Sequence, residues 1–287
     1  MPDHSDQPQP ILVLGGTGKT GRRVVEQLRR RGRSVRVASR RGEPAFDWND
    51  RATWEAAVEG AVAAYVLDPA FVAGSEPEEG AVALRDFCAL AVAAGTRRFV
   101  FLSARDLGNA DDESLFEGER TVKASGAEWT ILRPSWFAQN FSEEPFLAGQ
   151  VSRGVVTLST GDGLEPFIDA EDIAEVATVA LTEDGHAGEI YELSGPRLLT
   201  FGEAIETIHR LGGHDVRFVK GTSEESVASL EAQGLEHEFA VFTDRLFQWI
   251  AEGRNAMLSD GVQRVLGREP HDFVEYVRRT PADAWRG

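Results

Sequence analysis

The sharpest chemical signal in the chain is the run Gly15-Gly16-Thr17-Gly18-Lys19-Thr20-Gly21. It follows a short apolar stretch, Ile11-Leu12-Val13-Leu14, and opens a segment with helical spacing. Gly15, Gly18 and Gly21 form a GxxGxxG pattern. Between a strand and a helix, such glycines permit a tight turn, close backbone approach to a pyrophosphate, and close packing of helix on strand. The helix N-terminus adds free N–H groups and the positive end of its dipole. The pattern predicts dinucleotide binding by Gly15, Thr17, Gly18, Lys19, Thr20 and Gly21. Gly18-Lys19-Thr20 also suggests a nucleoside triphosphate loop. That motif needs a glycine five positions before Gly18, and Val13 stands there.

The second strand, Ser34–Ser39, decides which dinucleotide. A site for the unphosphorylated coenzyme usually ends this strand with Asp or Glu to hold the ribose 2′-OH. Here the chain reads Ala38-Ser39-Arg40-Arg41. Arginine can grip a 2′-phosphate through several charged donors, and Ser39 can donate to the same group, so the expectation is NADP(H). Asp47 and Trp48, in Phe46-Asp47-Trp48, are candidates for the adenine edge, with a plain loop role as the alternative. Leu67, Asp68 and Ser103 end later strands and complete the cofactor-binding set. Ser103 would touch the nicotinamide ribose or the substrate.

Other chemistries lack their residues. None of Tyr65, Tyr191 and Tyr276 is followed four positions later by lysine, so no Tyr-x-x-x-Lys acid pair exists. Lys123 has Glu119 four positions before it. Zinc-ligand spacing and a Gly-x-Ser-x-Gly elbow are absent, and no metal is expected. The catalytic residues stay unassigned, with Asp106 and Glu119 as possible proton donors or solvated carboxylates. Without a strong acid, hydride transfer suits an acceptor that is already activated. An iminium needs no proton, and a quinone or conjugated double bond takes one from solvent.

These residues need a scaffold. Strands are expected at Ile11–Leu14, Ser34–Ser39, Ala45–Trp48, Ala61–Leu67, Arg98–Ser103 and Glu128–Leu132. Helices are expected between them at Thr20–Arg31, Arg51–Val58, Pro77–Ala94 and Asp112–Ser125. Such alternation implies a doubly wound, mostly parallel α/β sheet covered on both faces. Ile173–Leu181 reads as a helix and Glu189–Leu193 as the last strand. After Gly195-Pro196 the chain turns mainly helical, at Phe201–Leu211, Ser223–Gln233 and Phe239–Glu252, with a strand at Val216–Val219. The expected division is a cofactor-binding Rossmann domain over 8–194 and a smaller C-terminal substrate lobe over 195–287, to which 141–165 contribute.

The 287 residues include 30 Lys+Arg and 47 Asp+Glu, a formal net charge of −17. That balance argues against nucleic acid and anionic membrane surfaces as partners. The basic residues concentrate at the start, where 1–41 hold ten of them, a local field suited to a phosphorylated small molecule. One cysteine, Cys88, excludes an intramolecular disulfide and suits a reducing, cytoplasmic setting. The first nine residues lack a secretory apolar core. Monomer and homodimer both stay open.

Five motifs in order resemble the NmrA-like branch of atypical short-chain dehydrogenase/reductases. They are Gly15–Gly21, Ala38-Ser39-Arg40, Phe46-Asp47-Trp48, Arg133-Pro134-Ser135-Trp136-Phe137-Ala138-Gln139-Asn140-Phe141, and Phe167-Ile168-Asp169-Ala170-Glu171-Asp172-Ile173. The glycine loop and the Arg-Pro-Ser-Trp-Phe-x-x-Asn-Phe run are most similar to ergot-alkaloid-type reductases. The resemblance spans residues 10 to about 220. It implies a Rossmann domain with a small substrate lobe, and an acceptor lined by Ser135, Trp136, Phe137 and Asn140. The alternative for Trp136 and Phe137 is core packing. Asp169 and Asp172 look like an N-cap and a first-turn acid. Where relatives keep a lysine or histidine on the helix after the fifth strand, this chain has Leu115. The expected function is NADPH-dependent reduction of a small apolar or aromatic molecule bearing an iminium, quinone or conjugated double bond. A dinucleotide-binding redox sensor acting through a protein partner, and a cofactor-dependent isomerase without net redox change, are the alternatives.

Overall fold

A computed structural model describes residues 9–69, 77–105, 117–143 and 147–286. Asp106 and Leu115 lie outside the described residues, as does the start of the helix expected from Asp112. The chain forms two compact units, one comprising Met1–Pro134 with Ile173–Glu192 and the other Ser135–Asp172 with Leu193–Gly287.

The first unit is built on a six-stranded sheet in the order β2-β1-β3-β4-β5-β8. Its strands are β1 (Ile11–Leu14), β2 (Val35–Ala38), β3 (Ala63–Leu67), β4 (Arg98–Leu102), β5 (Glu128–Pro134) and β8 (Glu189–Leu193). The registers of β1 with β2 and β3, and of β4 with β3 and β5, are all parallel. All of β1 is buried, which is why it reads as an unbroken apolar run rather than an alternation. Helix α1 (Lys19–Arg30) buries Val24, Val25 and Leu28. Gly32, at φ +68, supplies the left-handed residue just past its end. Helices α2 (Trp54–Val58), α3 (Pro77–Ala93) and α4 (Glu117–Lys123) follow in sequence. On α3 the buried stripe is Leu84, Phe87, Cys88 and Ala91, while Val82 is exposed. The stripe keeps the i, i+3, i+4, i+7 spacing that Val82 breaks.

The strand expected at Ala45–Trp48 does not form. Two isolated bridges remain there, a parallel one from Ser39 to Ala45 and an antiparallel one from Asp47 to Asp50. A parallel neighbour needs a crossover of about a dozen residues, and only five separate Ser39 from Ala45. Phe46 and Trp48 instead turn inward onto Trp54 and Phe87, with ring centroids 5.2–6.3 Å apart.

In the second unit β6 (Val155–Leu158) pairs in parallel with β10 (Arg217–Lys220), and β7 (Leu164–Glu165) pairs antiparallel with β9 (Leu199–Thr200). Two of its helices, α7 (Phe201–Leu211) and α8 (Ser223–Glu231), begin at Thr200 and Thr222 with complete capping boxes closed by Glu203 and Glu225. Their apolar faces join Phe141, Phe167, Phe247 and Phe273 in one core. Short helices at Gly261–Leu266 and Phe273–Arg279 and strand β6 were not expected from the sequence. Among the described residues no helix is long and apolar enough to cross a membrane.

Candidate functional site

The topology reverses around β1, because β2 lies on one side of it and β3 on the other. Ligands of such sheets bind at the carboxyl ends of the strands flanking this reversal. Gly15 leaves β1 at φ +60, and its carbonyl accepts the Gly18 N–H at 2.8 Å. A Cβ on Gly21 would stand 2.2 Å from that carbonyl oxygen. A Cβ on Gly15 would stand 2.4 Å from Leu67 Cδ1 at the end of β3. At Gly21 backbone atoms leave room only for glycine, whereas at Gly15 the positive φ selects it.

Helix α1 starts at Gly18 with no side-chain cap and no acidic residue in its first turn. Its leading N–H groups are open to an anion. Thr17 and Gly18 are exposed and Lys19 half-buried, whereas Thr20 is buried and accepts a hydrogen bond from Tyr65 Oη at 2.9 Å. This bond orients the Thr20 hydroxyl toward the sheet. Burial holds the Tyr65 phenol well above its ordinary value, against the opposing effect of the bond to Thr20.

The loop is tied to the end of β2 by the Gly16 N–H, which donates to Ala38 O at 3.3 Å. Ser39 and the exposed Arg40 follow directly. Beside them an open groove of about 650 Å³ is lined by Gly16, Arg22, Val25, Glu26, Arg29, Arg30 and Val37. Arg22 belongs to this neighbourhood although sequence reading singled out only Arg40. Asp47 uses Oδ1 to accept the Asn49 N–H, and its carbonyl accepts Trp54 Nε1. The Trp48 ring is buried in the aromatic cluster.

At the other strand ends the structure assembles an ionic chain that the sequence did not announce. Glu119 on α4 is 1% exposed. Its two oxygens accept from Arg133 Nε and Nη2, both at 2.7 Å. Lys123 Nζ lies 3.6 Å from the same carboxylate. Desolvation alone would raise the Glu119 pKa. Hydrogen bonds from Arg133 and Ser103, with the charges of Arg133 and Lys123, overcome it and hold the group below its ordinary value. Glu119, considered from sequence as a proton donor, is therefore an anion at neutral pH and has no proton to give. Arg133 Nη1 reaches Glu192 Oε1 at 3.2 Å, and Glu192 faces Arg105. Asp68, nearly buried at the end of β3, stands against α4, where a Cβ on Gly118 would meet its Oδ2 at 2.4 Å.

The remaining candidates lie in the second unit. Ser135 is buried and donates from Oγ to Pro166 O at 2.6 Å. Trp136 packs on Phe247 and Phe201, with centroids 5.1 and 6.2 Å away. Phe137 is half-buried and pairs by a parallel bridge with Ile168. Asn140 is buried, and its carbonyl accepts the Leu147 N–H. Asp169 Oδ1 accepts the Glu171 N–H at the start of helix α6 (Ala170–Thr182), as an N-cap does, and also takes Gln139 Nε2. Asp172 is fully buried between Arg268 and His271.

A family model described as NAD(P)H-binding matches residues 15–184. The chain is 33% identical over 275 residues to an uncharacterized oxidoreductase, YesF, of Bacillus subtilis, covering 93% of this chain and 94% of that protein. It is 29% identical over 282 residues to agroclavine dehydrogenase of Claviceps fusiformis, covering 93% and 96% respectively. The structure of an NADPH-dependent quinone oxidoreductase from Escherichia coli in complex with NADPH shares the fold. Its TM-score is 0.74 at 20% identity, over 93% of this chain and 98% of that one. The glycine cradle, the parallel sheet and these relationships agree: the chain belongs to the NAD(P)H-binding family, in its NmrA-like, atypical short-chain dehydrogenase/reductase branch.

Proposed function

We propose that the protein is an NADPH-dependent reductase of small, pre-activated acceptors. The observation that carries this reading is the join between the open N-terminus of α1 and the end of β2, where Ser39-Arg40 stands without an acidic residue. The loop residues Gly15, Thr17, Gly18, Lys19, Thr20 and Gly21 would hold the pyrophosphate through backbone N–H groups. Ser39 and Arg40 would hold the 2′-phosphate. Asp47 and Trp48 would border the adenine, Trp48 through its backbone because its ring is spent on the core. Leu67, Asp68 and Ser103 would follow the coenzyme along the strand ends. Bound there, NADPH supplies a hydride.

The chain's own contribution to the reaction is placement and electrostatics. With Glu119 held ionised by Arg133, it offers no proton to an acceptor. This favours acceptors that need none or take one from water, namely an iminium, a quinone or a conjugated double bond. The quinone oxidoreductase that shares the fold is named for one member of that class. The stretch Ser135, Trp136, Phe137 and Asn140 is assigned to the acceptor, Ser135 and Trp136 acting as the buttress for Phe137 and Asn140.

The test mixes purified protein with NADPH and a panel of quinones and cyclic iminium ions, and follows the absorbance of the reduced coenzyme. Turnover is expected. Tight NADPH binding without turnover would transfer the reading to a redox sensor. Product without coenzyme consumption would transfer it to an isomerase. Arg40→Ala should weaken NADPH roughly 10- to 100-fold, the loss of one charge-assisted contact, and leave NADH within twofold. Equal weakening of both would refute the 2′-phosphate assignment.

A further inference from the structure

The ionic chain at the strand ends is left incomplete at Arg105. The backbone of this residue is pinned beside β5, its N–H donating to Pro134 O at 3.0 Å. Its side chain is only 4% exposed. A buried guanidinium is ordinarily wrapped in acceptors, because each bare donor costs free energy. Here Nη1 is buried and has no hydrogen-bond partner among the described residues. Glu192 Oε2 stands 3.7 Å from Nε, too far for a hydrogen bond, and is itself without a donor among the described residues. Glu192 cannot swing wholly to Arg105, since its other oxygen is held by Arg133. Arg133 in turn spends Nε and Nη2 on Glu119.

Linked in this way are three cations, Lys123, Arg133 and Arg105, and two carboxylates, Glu119 and Glu192. Arg105 ends the linked set, three residues past the end of β4 and two beyond Ser103. That is the sheet edge at which ligands of parallel α/β folds are bound.

We infer that Arg105 is an oxyanion-binding group, whose Nη1 donates to an acceptor oxygen that turns negative as the acceptor is reduced. The inference rests on the reductase reading and narrows its substrate class. A conjugated carbonyl compound gains a hydride from NADPH at the far carbon, or a quinone at one end of its conjugated system. The π pair shifts onto the carbonyl oxygen, and a solvent proton later completes the product. The nicotinamide is oxidised and the acceptor reduced by the same two electrons. A fixed guanidinium beside that oxygen favours the charged state over the neutral carbonyl. An iminium runs the other way: it arrives positive, beside a guanidinium, and develops no negative oxygen. Quinones and conjugated carbonyl compounds are therefore the favoured acceptors.

The test uses the full chain and its Arg105→Lys and Arg105→Gln variants, with circular dichroism and melting temperature as fold controls. NADP⁺ is titrated first by calorimetry. Benzoate, a planar stand-in for the oxyanion, and the neutral isostere benzamide are then titrated into the NADP⁺-saturated protein. The wild type should favour benzoate at least tenfold, Arg105→Lys should keep part of that preference, and Arg105→Gln should abolish it. NADP⁺ affinity should stay within threefold throughout. In turnover, Arg105→Gln should lose about a hundredfold in kcat on 2-methyl-1,4-naphthoquinone and should not lose activity on an N-methyl-dihydroisoquinolinium ion. Normal NADP⁺ binding with no benzoate preference, or a preference that survives Arg105→Gln, overturns the assignment to Arg105 alone. Failure of NADP⁺ to bind overturns the reductase reading, and this assignment with it. Should Arg105→Gln not fold, Arg105→Lys decides: its preference should fall at least threefold, and an unchanged ratio overturns the inference.

Discussion

The tightest place in the proposed cofactor loop is Gly21, and Gly21→Ala is its most informative perturbation. The added methyl would lie 2.2 Å from Gly15 O, 2.8 Å from Gly15 C and 3.0 Å from Gly16 Cα. Favourable non-bonded carbon contacts begin at about 3.5 Å, so the Gly15 carbonyl must retreat by about 1 Å. That carbonyl is the acceptor for the Gly18 N–H at 2.8 Å, and the retreat breaks the bond. One lost hydrogen bond costs about 1 kcal/mol, and overpacking about 1–3 kcal/mol more. Some 2–4 kcal/mol would fall on the loop that meets the pyrophosphate. At 1.4 kcal/mol per factor of ten this is roughly a 30- to 700-fold loss of NADPH affinity. Gly18→Ala is the control. Its backbone lies at φ −80, open to any residue, and its Cβ would approach Gly15 O to 3.2 Å. A shift of a few tenths of an ångström accommodates it, so its melting temperature should stay close to wild type. Calorimetric titration with NADPH, paired with thermal melts, reads both effects. If Gly21→Ala binds NADPH within threefold of wild type, the glycine cradle does not hold the coenzyme and the loop argument is wrong.

Three further outcomes follow from other parts of the structure. Glu119→Gln should cost about 2–4 kcal/mol by leaving Arg133 half-paired. Because the carboxyl is held below its ordinary value of 4.5, its contribution is present above that pH and lost as pH falls below it. Melts of variant and wild type should therefore converge in acid, whereas a hundredfold loss of turnover with an unchanged melt would make Glu119 the acid after all. His271 is held above its ordinary 6.5 chiefly by its hydrogen bond to Asp172, against desolvation and the charges of Arg268 and Arg279. Its stabilising share is full below that value and fades as pH rises, so the deficit of His271→Gln in melting temperature should shrink as pH rises above 6.5; a deficit that grows with pH would contradict the pairing. Trp48→Ala should cost about 3–5 kcal/mol in urea denaturation, as a core aromatic does, and a loss under about 1 kcal/mol would return its ring to the ligand.

Local patterns made much of the first unit legible. An unbroken apolar run before three spaced glycines and a helical stripe is a signal confined to about twenty neighbouring residues, and the loop, α1 and Arg40 stand where that signal put them. The parallel alternation was legible for the same reason, since each strand and helix carries its own period. Within the second unit the signal was weaker: β6 and β10 meet across about sixty residues of chain, and helices of six or seven residues are too short to show a period.

What the sequence determined alone was a nucleotide-binding α/β sheet, because buried parallel strands and glycine turns leave marks that do not depend on distant partners. Tertiary structure decided the rest. It cancelled the strand at Ala45–Trp48, since the chain between Ser39 and Ala45 is too short for a parallel crossover. It turned Glu119 from a possible acid into a fixed anion, because Arg133 arrives from the neighbouring strand. It brought Arg105 against Glu192, 87 positions away, without closing the pair. Charge state and unmet hydrogen bonds depend on which groups share a desolvated space, and only the folded chain fixes that.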